Sequence, residues 1–308
     1  MSRASGRARA LKIDPRSSVP ERMTTLVGLI VVMGAVLGGY AMSGGPFSVL
    51  LQPAELVVIG GAVLGTLIIS APGKAAGRIV GALKKLLTAK APKRGDYVEL
   101  LRCLYSLFQV MRRDGVLALE QHVSDPHKST LFQKFPAVLK DHHAVGFLVD
   151  ALRQLVDGCS PEDLVLLFDA DLETMHDEDA QPIALIRTAG DALPGLGIVA
   201  AVLGIVITMA HLDGGPEEIG HHVAAALVGT FLGILLSYGV VGPMATSIEM
   251  VGLAQHRYLL CIKDGVLAAA RGNTPELAIE FARRSIFTDE RPTAKEMEEA
   301  FKALKAGA

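Results

Sequence analysis

Four long apolar stretches constrain this 308-residue sequence more than any other feature. A helix needs about 20 mostly apolar residues to cross the hydrocarbon core of a bilayer. Residues 24–42, 53–71, 192–210 and 223–245 each have about that length and almost no charge. One such stretch would fit a buried helix of a soluble protein, but four in one chain predict a membrane protein with four transmembrane helices.

The composition and the motifs exclude several classes of function. A net charge of -2 gives no reason to expect a nucleic-acid partner. The three cysteines lie far apart, at Cys103, Cys159 and Cys261, and predict neither a disulfide framework nor a zinc site. The sequence has no glycine-rich phosphate loop after a strand, no GxSxG and no HExxH. We therefore expect no metal, no cofactor and no enzymatic activity.

The positions of Lys and Arg predict the orientation of the helices, because cytoplasmic flanks of membrane helices are enriched in both. Segments 43–52 and 211–222 contain neither residue type. Basic residues follow the second and fourth stretches closely: Lys74, Arg78, Lys84, Lys85, Lys90, Lys93, Arg94, Arg257, Lys263 and Arg271. We expect both termini and the loop 72–191 to be cytoplasmic, in a multi-pass protein of the inner membrane.

This topology divides the chain into a basic N-terminal arm, a first transmembrane hairpin, a cytoplasmic helical domain, a second transmembrane hairpin and a cytoplasmic helical tail. The boundaries are 1–22, 23–71, 72–191, 192–245 and 246–308. The arm and first apolar stretch also resemble a signal peptide, but the stretch is as long as a membrane span and lacks a clear cleavage site. We expect a disordered arm before an uncleaved helix, with Met23 as an alternative start.

Residue spacing in the loop and tail predicts helices, so the expected fold class is all-α. Apolar residues recur every three or four positions in 97–112 and 144–157, which is typical of amphipathic helices. Ser160-Pro161-Glu162-Asp163 and Thr274-Pro275-Glu276 each place a capping residue, a proline and an acid in the order typical of a helix start. No segment shows the alternation of a strand.

Small residues recur in the third and fourth apolar stretches. Ala225, Gly229, Gly233 and Ser237 are four residues apart, and Gly197 lies in the third stretch. Rows of small residues let helices approach closely in lipid. Packing within the chain explains any single pair, whereas the whole row beside another small-residue helix favours an interface shared with other chains.

The middle of each apolar stretch lacks Asp, Glu, Lys, Arg and His, while Glu55 and Asp191 lie at the edges. A proton-driven membrane protein usually needs an ionisable group within the membrane. The deepest polar groups here are hydroxyls such as that of Thr230, which cannot hold a proton at physiological pH. If the chain conducts protons, we expect another subunit to supply the carboxylate.

Six stretches of the sequence, taken together and in order, resemble the MotA family of flagellar motor stator proteins. They are GGYAMSGG at 38–45, QPAEL at 52–56, GDALPGLGIVAAVLG at 190–204, VGTFLGILLSYG at 228–239, GP at 242–243 and AIEFARRSIFTDERP at 278–292. The resemblance covers about Thr25 to Lys305 and includes the four spans and the large loop.

The resemblance implies a stator that forms a proton channel and couples ion flow to torque on the rotor. Family members form a homopentamer around a dimer of a MotB-like partner, which has a single membrane span and a peptidoglycan-binding domain. The partner's membrane aspartate binds the ion, and the cytoplasmic domain of the family acts on FliG, a protein of the rotor switch ring. The resemblance implies no cofactor, and the transported ion that it favours is H+, with Na+ as the alternative.

The resemblance also assigns roles to individual residues. Arg112, Glu120 and Asp171 match the charges that contact the rotor, with Arg113 as an alternative to Arg112. Pro194 and Pro243 match the family's conformational prolines.

Further residues match the ion path and the partner contact. Ala201 takes the place of a threonine in sodium-driven relatives, so the loss of that hydroxyl favours protons, whereas Thr230 is common to both kinds. The expected packing residues towards the partner are Gly197, Ala225, Gly229 and Gly233.

Other classes of membrane protein compete with this assignment. An energiser of the ExbB or TolQ kind, which powers outer-membrane transport, has three spans and an outside N-terminus, in contrast to the topology predicted here. A self-contained secondary transporter needs a charged or unwound site near the membrane midplane, which the sequence lacks. A passive scaffold would use the loop only to dock a partner.

Overall fold

A computed structural model of the chain describes residues 21–70, 77, 79–81, 90–210 and 215–306. Within these ranges the chain forms helices and turns and contains no strand, which confirms the all-α fold class. Most of the predicted arm, together with Lys74, Arg78, Lys84 and Lys85, lies outside the described residues.

The first hairpin consists of α1 (Glu21–Met42), the single turn α2 (Phe47–Leu50) and α3 (Pro53–Ser70). Tyr40 closes the connection between the two long helices. Its hydroxyl donates a hydrogen bond to the Pro46 carbonyl oxygen at 3.1 Å, and its ring meets Phe47 edge-on with centroids 5.7 Å apart.

A helical domain follows, built from α4 (Arg94–Asp114), α5 (Glu120–Val123), α6 (Pro136–Lys140) and α7 (His142–Val156). The stripe predicted on 97–112 is buried, as shown by Leu101, Leu104 and Phe108. Gly115 ends α4 with a φ of 87°, a conformation that glycine adopts without strain. This turn sends the chain back across the domain into α5.

Helix α8 (Pro161–Ala210) is 50 residues long. Ser160 caps it as predicted, since its hydroxyl accepts a hydrogen bond from the Asp163 amide at 3.1 Å and donates one to the Asp163 carboxylate at 2.8 Å. The helix continues through Pro182 and Pro194. Because its apolar part begins near residue 192, roughly 45 Å of the same helix projects into the helical domain.

Helix α9 (Pro216–Leu236) returns beside α8 and continues through a π-helical turn at Ser237–Val241 into α10 (Gly242–Ala270). Both α8 and the joined α9 and α10 are long and apolar enough to cross a membrane, as are α1 and the segment that contains α3. The four predicted spans are confirmed, and the predicted boundaries at 191 and 245 both fall inside helices.

The tail adds α11 (Pro275–Arg284) and α12 (Ala294–Ala306) and folds back onto the loop. The ring of Phe301 stacks on Tyr105 of α4 with centroids 4.1 Å apart, and Arg94 pairs with Glu296 at 2.8 Å. Apolar residues of α4, α7, the start of α8, α10 and α11 belong to one buried cluster. The predicted loop domain and tail therefore share a single hydrophobic core.

An ion cluster on α11 makes this core sensitive to acid. The Glu280 carboxylate accepts hydrogen bonds from the guanidinium groups of Arg283 and Arg284 at 2.7 Å. The bond from Arg283, followed by that from Arg284, lowers the pKa of Glu280 from its ordinary 4.5 to about 2. A carboxylate whose pKa is lower in the folded state stabilises the fold at pH values above its ordinary pKa of 4.5. This contribution is lost as the pH falls from 4.5 towards about 2.

We expect Glu280→Gln to lower the midpoint of thermal unfolding at pH 7, and we expect the difference from the wild type to disappear as the pH approaches about 2. Circular dichroism of the detergent-solubilised protein at a series of pH values measures both effects. Glu173→Gln removes an exposed carboxylate that has no ion pair in the described part of the chain and should change nothing. A difference for Glu280→Gln that is the same at every pH would contradict the assignment.

Candidate functional site

Glycines bring α8 and α9 into backbone contact. A Cβ atom added to Gly197 would lie 2.7 Å from the Gly229 carbonyl oxygen, and one added to Gly233 would lie 2.5 Å from the Leu193 carbonyl oxygen. These glycines pack within the chain, which was one of the two alternatives left by the sequence. Their contact with a partner stays a prediction, as does that of Ala225, which is half-buried.

The two conformational prolines lie beside the same helix contact. Pro194 lacks the amide that would bond to Gly190, and a Cβ added to Gly190 would lie 3.3 Å from Cγ1 of Val241, two residues before Pro243. The π-helical turn ends at Val241. The structure therefore brings together two helix segments whose regular hydrogen-bond ladders are interrupted at the same level.

Sequence reasoning missed the π-helical turn and the second proline of α8. The turn has the sequence SYGVV, and π-helical turns occur often at functional sites. Its signal in the sequence was Pro243 four residues after Gly239, a spacing that removes one helical hydrogen bond. Pro182, which is buried inside α8, had no recognised signal because its neighbours continue the helical pattern.

Two predicted ion-path residues, Ala201 on α8 and Thr230 on α9, lie on neighbouring helices, and both are half-buried. The backbone of Thr230 joins the glycine contact, since its Cα lies 3.3 Å from a Cβ added to Gly197. The Thr230 hydroxyl has no hydrogen bond within the described residues, whereas Thr208 donates to the carbonyl of Gly204 at 2.8 Å. Ala201 is one helical turn beyond Gly197, and no described contact joins it to Thr230.

The Glu55 carboxylate reaches between neighbouring helices. It belongs to the first turn of α3, which packs along α8 and α9. Its Oε2 would lie 2.4 Å from a Cβ on Gly229, and its Oε1 would lie 3.6 Å from one on Gly204. Oε2 is inaccessible to solvent and has no hydrogen-bond partner among the described residues. Glu55 stays in the first turn of α3, at the edge of that span as expected, and its carboxylate reaches between the helices because the glycine at 229 leaves room for it.

Arg112 and Glu120 lie on either side of the turn at Gly115, and both are exposed. Arg113 forms an ion pair with Asp114, because its guanidinium group donates to both carboxylate oxygens at 2.8 to 3.1 Å. Arg112 makes no ion pair within the described part of the chain. The Arg113 side chain is 80% exposed, so both arginines are accessible to a partner and the choice between them stays a prediction.

The third predicted rotor-facing residue, Asp171, lies on α8 and not on the turn that carries Arg112 and Glu120. It is exposed, and no contact in the described ranges joins it to either of them. Partial desolvation, together with the negative charge of Asp150, raises the pKa of Asp171. The structure thus places the three predicted charges on two separate parts of the helical domain.

A cavity of about 700 Å³ opens beside Arg112, between α4, the segment around Lys134 and the start of α11. Arg112, Arg113 and Lys134 contribute cationic groups to its lining, and Glu276 contributes one carboxylate. His122 also lines it, and its Nδ1 lies 2.8 Å from Oγ of Ser129. Burial lowers the pKa of His122, so the imidazole is neutral near pH 7. This part of the surface can receive an acidic group of a partner.

Comparison with known proteins identifies the family of the chain. The profile described as Motility protein A N-terminal matches residues 26–115, and that of the MotA/TolQ/ExbB proton channel family matches residues 140–251. The chain is 38% identical over 284 residues to Motility protein A of Salmonella typhimurium, with 92% of this chain and 96% of the relative covered. This chain belongs to the motility protein A family.

Another relative and two solved structures are similar to the chain over most of its length. The chemotaxis protein LafT of Vibrio parahaemolyticus is 33% identical over 277 residues, which cover 90% of this chain and 97% of LafT. The flagellar MotAB stator complex from Bacillus subtilis has a TM-score of 0.72 and 25% identity, covering 93% of this chain and 100% of that chain. MotAB of C. jejuni, at 19% identity, shares the fold with a TM-score of 0.75, covering 88% and 99%.

Membership in the motility protein A family makes this chain a membrane component of the flagellar stator and not an enzyme. It does not favour the ExbB or TolQ alternative, because the N-terminal match is to the motility protein A profile and the relatives named above are motility and chemotaxis proteins. Within the described residues, no group of three or more His, Cys, Asp or Glu residues could hold a metal ion.

The glycine contact yields a stability prediction. In Gly233→Ala, the new methyl group must displace the Leu193 carbonyl or push α8 and α9 apart, at a cost of about 1–3 kcal/mol. We expect a lower midpoint of thermal unfolding in detergent. Gly220→Ala is the matched control on the same helix, because a Cβ there meets nothing within 4 Å and alanine favours helix by roughly 1 kcal/mol. Equal stability of the two variants would contradict the contact.

Proposed function

We propose that this chain is the torque-generating subunit of a flagellar stator and that it conducts protons together with a MotB-like partner. The observation that carries the proposal is the continuity of α8 and of the joined α9 and α10 from the glycine contact into the core of the helical domain. Phe168 of α8 and Ile262 of α10 are both buried in that core. A displacement at the membrane contact must therefore move the domain.

The partner supplies what the helix pair lacks. The middle of each span has no Asp, Glu, Lys, Arg or His, and Glu55, whose Oε2 is inaccessible to solvent, lies near the end away from the helical domain. A membrane aspartate on the single span of a MotB-like subunit meets this need, and its peptidoglycan-binding domain anchors the complex. Similarity to the Bacillus subtilis MotAB stator complex supports such a partner. We expect a pentamer of this chain around a partner dimer.

The orientation follows from charge. Lys90 and Lys93 lie between the first hairpin and the helical domain, and Arg94 begins α4, whereas 43–52 contains no Lys or Arg. The positive-inside rule then places the helical domain and both termini in the cytoplasm of an inner-membrane protein. Arg112 and Glu120 face the cytoplasm in this orientation, where the rotor switch ring and its protein FliG lie.

The mechanism follows from the interrupted helices. One proton that crosses 100 mV supplies about 2.3 kcal/mol, close to the net contribution of one or two hydrogen bonds. The segments at Pro194 and Pro243 already lack regular helical bonds, so a change of charge on the partner's carboxylate can shift them within that energy. The long helices carry the shift to the domain, and Arg112, Glu120 and Asp171 act on the rotor.

Charge reversal tests the rotor contact. We expect Arg112→Glu and Glu120→Lys to abolish or strongly reduce swimming while the stator complex still assembles, because both side chains are exposed outside the core. Motility in soft agar and co-purification with the partner measure the two properties. Arg271→Glu reverses an exposed charge at the end of α10 and serves as the control. Normal swimming of both test variants would remove these residues from the rotor contact.

The side chain at position 201 tests the coupling ion. Ala201 offers a methyl group where a sodium-driven relative has a hydroxyl, so we expect torque to persist without sodium and to stop when a protonophore collapses the proton gradient. The rotation speed of tethered cells in sodium-free medium measures this. Rotation that requires sodium and survives the protonophore would show the opposite coupling.

A further inference from the structure

Glu55 is a half-buried residue of α3 whose carboxylate lies against α8 and α9, and none of the steps above uses it. Its Oε2 lies against Gly229 of α9 and its Oε1 faces Gly204 of α8. Oε2 is inaccessible to solvent and has no hydrogen-bond partner in the described part of the chain. An ionisable residue inside a membrane segment without a partner is costly, and such residues mark ion pathways.

The depth of Glu55 follows from the helices that it contacts. Gly204 precedes the end of α8 at Ala210 by six residues, and Gly229 follows the start of α9 at Pro216 by thirteen. At the rise of an α-helix, the carboxylate lies roughly 9 Å inside the end of α8 and roughly 20 Å inside the start of α9. The acid is therefore within the apolar zone, on its periplasmic side.

Among the described residues, no side chain of opposite charge pairs with Glu55. Residues 192–210 of α8 and 223–236 of α9 include no ionisable side chain, and α3 has none besides Glu55. The short helix α2 has none either. Removal from water disfavours the charged form of an unpaired carboxylate, and binding a proton removes that charge.

A line of ionisable groups on α9 leads from its start towards Glu55. Glu218, His222 and Gly229 are separated by four and seven residues, which places them on one face of the helix. Nε2 of His222 lies 4.0 Å from Oε1 of Glu218. The other ionisable residues at this helix start, Glu217 and His221, lie beside that face and are exposed.

We propose that Glu55 is a proton-binding site of this chain, through which periplasmic protons enter the stator before they reach the partner's carboxylate. This inference rests on the proposed function. A hydronium ion arriving along the Glu218 and His222 face gives one proton to the Glu55 carboxylate and leaves as water. The new O–H bond of Glu55 then breaks as the proton passes to the partner's carboxylate, and Glu55 returns to its starting form.

Proton flux through the complete complex in liposomes tests the site. A potassium gradient with valinomycin drives the flux, and a pH-sensitive dye inside the vesicles reports it. Glu55→Gln keeps the shape of the side chain but cannot exchange a proton with water, so we expect at least a tenfold lower flux from a complex that still assembles. Glu55→Asp should retain part of the flux. Glu217→Gln makes the same chemical change at an exposed position on the same side and should match the wild type.

Labelling with dicyclohexylcarbodiimide gives a second readout that a purely structural role of Glu55 would not produce. This apolar reagent adds to protonated carboxyl groups in membranes, with the acid adding across a C=N bond of the carbodiimide and no group leaving. Mass spectrometry of peptides from this chain should locate the adduct on Glu55 and find none there in Glu55→Gln.

The outcomes are distinct. Wild-type flux in Glu55→Gln, or no adduct on Glu55 in the assembled wild-type complex, overturns the inference and leaves the proposed function standing. A wild-type complex that passes no protons overturns the proposed function and this inference with it. If Glu55→Gln does not assemble, the partial flux of Glu55→Asp and the adduct on the wild type decide the question.

Discussion

The backbone contact between α8 and α9 is the interaction on which the rest of the membrane region depends. Lipid offers no hydrophobic drive for two apolar helices to associate, so close approach through small residues must supply the attraction. Gly197 and Gly233 allow that approach because a Cβ at either position would meet backbone atoms at 2.7 Å or less. The same contact sets the level at which the two proline segments face each other and, at Gly229, makes room for the Glu55 carboxylate.

Two helical segments, α8 and the joined α9 and α10, run from this contact into the helical domain. Helix α8 enters the domain without a break, and α10 leaves the membrane region through the π-helical turn and ends in the same core. Loop and tail are distant in sequence, yet they close one hydrophobic core around these two helices. A domain held by a flexible linker could drift relative to the membrane helices, whereas this one follows their position.

Local signals allowed much of the fold to be predicted. Apolar length gave the four spans, and the capping residues Ser160 and Thr274 gave two helix starts that the structure confirms. Contacts between distant residues escaped prediction, because periodicity describes which face of a helix is apolar and not which helix covers it. The position of the Glu55 carboxylate is such a case, since it depends on the glycine at 229 in another helix.

A contact made of glycines serves movement as well as attraction. Helices that interlock through large side chains must unpack them to shift, and a single misfitting methylene group in a packed site already costs about 1–3 kcal/mol. One proton crossing 100 mV supplies about 2.3 kcal/mol, so a single interlocking side chain between α8 and α9 would consume the whole driving force. Gly197 and Gly233 have no side chains that must unpack before the helices shift. The residues that hold the helix pair together are therefore also the ones that keep the barrier to its movement within the energy of one proton.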